Sequence, residues 1–393
     1  MPRPGPLMSQ PGGAARPLKI FLIIGTLGRG GAEGQLSRLA IELQGLGHSV
    51  TVVALIDGGP QVEMLTAANV PWQALGDGHG LTRSVSRDGT FSRLRGRAVY
   101  GATLIRTLVR LCGLLRRERP DVCHAWLWLA YVLAIPASAA CRVPVRIAGL
   151  RALQQPRERS VIGRLASWPA RHLVHGITAN CEAIAEQASA LKLFSATACV
   201  RVIPNAVDVP SWVADPGGDP PVVICVANLI AYKGHRTALD AWRLLKRPPQ
   251  LRLVGEGPEG DDLRDLVQIY GLATKVQFLG SVAGTSDLVR SSQIALLPSL
   301  TEGFPNALIE AMAAGLPAVA TAVGGVPEVL DSSCGIVVPP GDAAAMAAAV
   351  DELVQDQERR IRLGAAAREK VKAYSWSRCV DANVRFYREL LRD

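Results

Sequence analysis

The sequence predicts an α/β fold of two Rossmann-like domains facing each other across a cleft. Three observations predict it. Short apolar runs alternate with helical stretches along nearly all of the 393 residues, the pattern of parallel sheets covered by helices. The alternation comes in two series, parted by a Pro/Gly/Asp-rich stretch at 208–220. Charge divides at about the same place: residues 1–205 hold 24 Lys+Arg and 11 Asp+Glu (+13), and 206–393 hold 19 and 23 (−4), which sum to the net +9.

The elements follow in order. Residues 1–17 are Pro/Gly-rich and are expected to be a disordered tail. An apolar strand at 18–24 runs into a glycine turn at 28–31. A helix at 32–46, with Leu36, Leu39, Ala40 and Leu43 on one face, stops at Gly47. A second strand spans 49–55. The polar stretch 76–97 is expected as a loop, followed by a helix at 98–117 and strands at 122–125, 145–148, 176–179 and 200–203. After the linker the alternation restarts with strands at 222–226, 251–254, 276–279, 294–298 and 318–320. Between them lie helices at 235–246, 259–271, 285–291 and 305–314, and a last helix spans 377–392.

Several classes are disfavoured. The eight cysteines include no C-x-x-C pair, which reads as reduced thiols and speaks against a structural zinc. The N-terminus lacks the order of a signal peptide, so a cytoplasmic protein is expected. Residues 122–141 carry no Asp, Glu, Lys or Arg, close to the length of a membrane span. The His, Ser and Pro inside that run favour a buried strand and helix instead. The densest charge is at 81–119, with ten arginines against Asp88 and Glu118. It suits either a solvated helix face or an anionic membrane surface. Nucleic acid is disfavoured because no aromatics interleave the arginines. No Asp-x-Asp, H-E-x-x-H or P-loop pattern is present, so neither a metal nor a resident cofactor is expected.

The segment 297–317 concentrates chemistry. A strand ends at Pro298, a loop carries Glu302, Pro305 suits the start of a helix and Gly315 its end. Asn306 and Glu310, four apart, share a helix face. Two carboxylates then lie beside the free N–H groups and positive end of a helix, a site suited to phosphate flanked by hydroxyls. The same spacing also fits an ordinary helix-surface acid and a helix-dipole partner.

Glu302 and Glu310 inside Glu302-Gly-Phe-Pro-Asn-Ala-Leu-Ile-Glu310 resemble the E-x7-E motif of family 4 retaining glycosyltransferases (glycosyltransferases group 1). Further segments resemble that family in the right order: the glycine loop Thr26–Glu33, the strand end Pro120–His124, Ile203-Pro-Asn-Ala-Val-Asp208, Val226-Ala-Asn-Leu with Lys233-Gly, and Gly324-Gly-Val-Pro-Glu328. The resemblance spans nearly the whole chain and implies the GT-B fold. It places an acceptor-side domain at 18–205, completed by the helix 377–393, and a nucleotide-sugar domain at 206–376.

The resemblance also implies residue roles. Lys233 would contact the donor diphosphate, assisted by the Gly30 and Gly31 amides and the helix N-terminus at Asn306, Ala307 and Leu308, with Gly303 and Phe304 alongside. Glu310 would bind the ribose, Glu302 would meet the transferred sugar, and backbone near Phe278 would face the base. Asn228 stands where many members carry arginine, and Ala206 where the family's linker has glycine. Many members end the fourth strand with His-x-His, and it is often the second histidine that touches the sugar. Here Trp126 takes that second position, so His124 is either the catalytic histidine or a structural one. The activity implied is metal-independent, retaining transfer from a UDP-sugar to a glycan or lipid-linked acceptor in cell-surface polysaccharide synthesis. A catalytically weakened nucleotide-sugar-binding protein and a sugar-nucleotide epimerase are the rival readings.

Overall fold

The computed structural model describes residues 16–76, 90–152, 160–282 and 284–392, with backbone alone for 90–102 and 162. Residues 1–15 of the expected tail, and 77–89 of the expected loop, lie outside the described residues. The first sheet holds β1 (Lys19–Thr26), β2 (Ser49–Asp57), β3 (Trp72–Ala74), β4 (Val122–Trp126), β5 (Val145–Leu150), β6 (Gly176–Ala179) and β7 (Cys199–Val202), in the order 3-2-1-4-5-6-7. The second holds β8 (Val222–Val226), β9 (Gln250–Val254), β10 (Val276–Phe278), β11 (Ile294–Leu297), β12 (Ala318–Thr321) and β13 (Gly335–Val338), in the order 10-9-8-11-12-13. Every pairing is parallel, and the strand order reverses beside β1 and beside β8, where α/β sheets open a crevice at their C-terminal strand ends.

The crossover helices of the first series are α1 (Gly31–Gly45), α2 (Gln61–Ala67), α3 (Thr90–Glu118), α4 (Trp128–Ala140), α5 (Val161–Leu173) and α6 (Glu182–Ala190). Those of the second are α7 (His235–Leu244), α8 (Gly260–Ile269), α9 (Ser286–Arg290), α10 (Asn306–Ala313), α11 (Val326–Val329), α12 (Ala343–Gln355) and α13 (Gln357–Val371). The last helix, α14 (Trp376–Arg392), returns to the first sheet. Two expectations change here. Helix α3 begins at Thr90, so 90–97 is helical rather than loop; arginine is a good helix former, and a polar stretch can be one helix face. The stretch 208–220 is not a free linker. Arg360, 1% exposed, donates to Pro216 O (2.7 Å), and Gln357 donates to Gly217 O (2.7 Å), pinning it to the second domain.

The chain crosses between domains twice, and the crossings are tied together: Val207 N donates to Tyr374 O (2.9 Å). Gln35 of α1 grips the first crossing through Ala206, donating to its carbonyl (2.8 Å) and accepting from its N–H (3.1 Å).

Helix α14 is anchored by a polar network around His124, which is fully buried. The Trp126 indole N–H can only donate, and it lies 3.0 Å from Nε2 of His124. Nε2 is therefore the bare nitrogen, and it also accepts from Thr178 Oγ1 (2.9 Å). Nδ1 carries the proton and donates to Tyr387 Oη (2.9 Å), whose hydroxyl donates on to Asn383 Oδ1 (3.4 Å). Burial, reinforced by the Arg151 charge, holds the imidazole pKa well below its ordinary value, so the ring is neutral. Tyr387→Phe leaves the buried Nδ1–H without an acceptor. We expect a loss of about 1–3 kcal/mol in urea unfolding. An unchanged midpoint would mean that the tyrosine does not hold the helix to the sheet.

Candidate active site

The two sheets point their C-terminal strand ends at one cleft of about 770 Å³. The first domain contributes the turn after β1 (Arg29, Gly30, Gly31, Ala32, Glu33), Leu127 after β4, and Arg151 after β5. The second contributes Asn228, Tyr232 and Lys233 after β8, Gly255 after β9, Ser281 and Val282 after β10, and Thr301–Ala307 with Glu310 after β11. All of these lie on the C-terminal side of their strands.

Two helix N-termini meet here. Helix α1 starts after Gly30 and α10 after Pro305, and neither of those residues caps its helix with a side chain. A Cβ on Gly31 would lie 2.5 Å from Asn306 Nδ2, so a side chain there would have to move the Asn306 amide. On the α10 side, Asn306 N donates to Phe304 O and Leu308 N to Pro305 O (both 3.1 Å), which leaves the Ala307 amide facing the cleft. On the α1 side, the Glu33 carboxylate folds back over the turn and bonds its own N–H; a Cβ on Gly30 would sit 2.1 Å from Oε2. An incoming anion at α1 therefore has to displace Glu33.

Lys233 closes a short 3-10 turn, and its ammonium donates to Glu302 Oε1 (2.6 Å), which also accepts from Ser299 Oγ (2.6 Å). The next residue, Gly234, has φ +69°, and a Cβ there would lie 1.9 Å from Pro298 O. This places the β8 and β11 loops in contact and positions the Lys233–Glu302 pair. Glu310 projects from α10 one helical face away. The protein walls around it raise its carboxyl pKa to about 7 by desolvation. Its side chain is reached by water through the open mouth of the cleft.

Most residues singled out from sequence reach the cleft: Gly30, Gly31, Asn228, Lys233, Glu302, Gly303, Phe304, Asn306, Ala307 and Glu310. Three do not. His124 is buried in the network described above because Trp126 and Thr178 enclose it. The Phe278 ring lies beneath Arg264, 5.2 Å from its guanidinium, and the cleft beside it is lined by Ser281 and Val282. Leu308 is 2% exposed and its amide is already bonded. Sequence reasoning missed Arg29, Leu127, Arg151 and Asn205. Leu127 has φ 71° and ψ 159°, a strained backbone for a residue with a Cβ, and such strain gathers at functional sites. The signal for Arg151 was available: an arginine directly following an apolar strand.

The Gly324-Gly325 segment joins the domains. A Cβ on Gly324 (φ +52°) would lie 2.1 Å from Glu302 O, and one on Gly325 would lie 2.9 Å from the Cys181 Cβ. Glu328 accepts from Ala183 N (3.4 Å) in the first turn of α6.

A two-domain parallel α/β protein with paired carboxylates and a lysine at opposed helix ends has the architecture of GT-B transferases. The chain belongs to the family 4 glycosyltransferases: the model described as Glycosyltransferase Family 4 matches residues 29–210, and that described as Glycosyl transferases group 1 matches 211–370. It is 28% identical over 392 residues to a glycogen synthase of Mycobacterium tuberculosis, covering 93% of this chain and 91% of that one. It is 29% identical to the lipopolysaccharide core biosynthesis glycosyltransferase LpsE of Rhizobium meliloti, over 65% of this chain and 71% of that one. A GDP-mannose-dependent phosphatidylinositol monomannoside mannosyltransferase of Mycobacterium tuberculosis is 33% identical, over 46% of this chain and 53% of that one. In structure it resembles Anabaena HepE in complex with UDP, with TM-score 0.78, 19% identity, and coverage of 95% of this chain and all of that one. The protein is a glycosyltransferase of polysaccharide or glycolipid synthesis. Among the described residues no group of three or more His, Cys, Asp or Glu could hold a metal ion, and no helix is long and apolar enough to cross a membrane.

The raised Glu310 pKa gives a pH prediction. An ionised carboxylate accepts two ribose hydroxyls, whereas a protonated one must give up one acceptor position. If Glu310 takes the ribose, ligand binding pulls the proton off. Affinity for a nucleotide sugar, whose own diphosphate does not titrate near neutrality, is expected to fall as pH drops through about 7. Calorimetry from pH 8 to pH 5 checks this. Glu310→Gln should bind more weakly and show a flat profile; equal slopes in both proteins would remove Glu310 from the ribose.

Proposed function

We propose that the cleft binds a UDP-sugar and transfers the sugar, with retention and without a metal, to a hydroxyl of a glycan or lipid-linked acceptor. One observation carries the reading: Glu302, bonded to Lys233, and Glu310 flank the N-terminal turn of α10 where it faces α1. In this reading Lys233 and the Ala307 amide take the diphosphate, Glu310 takes the ribose, and the free oxygen of Glu302 takes a sugar hydroxyl. The sugar C1–O bond to phosphate breaks and its electron pair passes to the phosphate oxygen. The acceptor oxygen bonds C1 from the same face, and its proton goes to that phosphate oxygen. The protein's part is positioning and charge stabilisation. UDP as donor is supported by the HepE complexes with UDP and UDP-glucose. The GDP-mannose-dependent relative makes GDP the competing nucleotide.

The test is incubation with UDP- and GDP-sugars in EDTA, followed by NMR of the anomeric configuration of the product. Retained configuration and undiminished turnover in EDTA are expected. Turnover only with added Mg²⁺, or an inverted product, would overturn the mechanism. Isomerised donor with no acceptor present would indicate an epimerase, and binding without turnover a binding protein.

A membrane-facing acceptor is supported by helix α5. Val161, Leu165 and Trp168, spaced as one helical face, are 73%, 68% and 61% exposed, with Arg164 exposed among them. This patch belongs to the basic half of the chain, whereas the side chains of Arg93, Arg95 and Arg97 lie outside the described residues. Burying one such apolar side chain is worth about 1.5–3 kcal/mol. Leu165→Ser with Trp168→Ser is therefore expected to weaken co-sedimentation with phosphatidylglycerol vesicles at least roughly tenfold. Wild-type protein that ignores such vesicles at low salt would leave a soluble acceptor.

A further inference from the structure

Arg151 stands directly after β5, on the first-domain wall of the cleft. It is 8% exposed, and its guanidinium lies over the Trp126 ring, 3.6 Å from the ring centre. Its partners are neutral and distant: Ile203 O (3.4 Å), Asn205 Oδ1 (3.3 Å) and Thr178 Oγ1 (3.4 Å). Its Nε is buried with no partner, and among the described residues no carboxylate lies within ion-pair distance. Burial lowers its pKa only to about 10, so it is a cation at neutral pH. A buried charge without a counter-ion is costly, and a substrate anion would relieve that cost.

Its position says which anion. The Arg151 carbonyl packs where a Cβ of Gly303 would be, at 2.5 Å, beside Glu302. Asn205, which accepts from Arg151, donates to Asn306 Oδ1 (2.8 Å) at the start of α10. The guanidinium is thus one residue away from the turn that faces the diphosphate in the donor reading above. The other cations already have partners. Lys233 holds Glu302, and exposed Arg29 reaches Ser281 Oγ (2.9 Å) across the cleft. Position 228 is a neutral asparagine.

We propose that Arg151 binds the leaving diphosphate from the acceptor-side domain, supplying the second cation that position 228 lacks. The inference rests on the donor reading of the cleft. Negative charge on the terminal phosphate grows as the sugar bond breaks, so a fixed guanidinium in a water-poor wall stabilises the transition state more than the ground state.

Calorimetry with UDP, GDP and the corresponding monophosphates tests this on wild-type, Arg151→Met and Arg151→Lys. The methionine variant is expected to lose at least about tenfold in diphosphate affinity, with little change for the monophosphate, and lysine to recover part of the loss. If the methionine variant does not fold, Arg151→Gln, which keeps polar bonds but no charge, takes its place with the same expectation. Unchanged diphosphate affinity in a folded variant with a lowered Tm would make Arg151 a brace of the 203–205 segment and overturn the inference alone. Wild-type protein that binds neither diphosphate overturns the donor reading and this inference with it.

Discussion

The arrangement depends on one close contact, the approach of two uncapped helix N-termini at Gly31 and Asn306. Each end carries unsatisfied N–H groups and partial positive charge, so bringing them together is unfavourable unless something negative or polar fills the gap. The gap is filled by Glu33 folded over α1 and by the Asn205–Asn306 amide pair. Glycine makes the approach possible on both sides. Gly31 admits the Asn306 amide, Gly325 lets the second domain pack on Cys181 of the first, and Gly324 admits the Glu302 carbonyl of its own domain. Of these positions, Gly325 is where a side chain would press directly on the first domain, at the Cys181 Cβ.

Most of the fold was legible because parallel strands buried on both faces read as continuous apolar runs, as in 20–24 and 294–297. Short elements were harder. Strand β3 is three residues long with Trp72 exposed, and β13 alternates weakly, so neither has a clear period. The second-domain half of the site was legible because most of its residues sit within one helix and the loop before it, with Asn228 and Lys233 in one further loop. Beyond Gly30 and Gly31, the first-domain half was not. Arg151, Asn205 and Leu127 are scattered along the chain and meet only through sheet order. The exclusion of His124 from the cleft depends on Trp126 and Tyr387, and Tyr387 lies 263 residues away.

The Trp126 side chain changes what the first-domain wall can do. A second imidazole there could accept a proton. The indole can only donate, and it spends its N–H on His124, fixing that ring as the neutral Nδ1–H tautomer. Its face supports the Arg151 guanidinium, and Gly149 is small because a Cβ there would lie 2.6 Å from the indole. Tryptophan, glycine and arginine thus form one unit that replaces a titratable base with a fixed cation. In the donor reading proposed above, a wall of that kind suits chemistry in which negative charge accumulates on the leaving phosphate and that phosphate takes the acceptor's proton. It also ties the last helix to the cleft wall, since Tyr387 holds the histidine that orients the indole beneath Arg151.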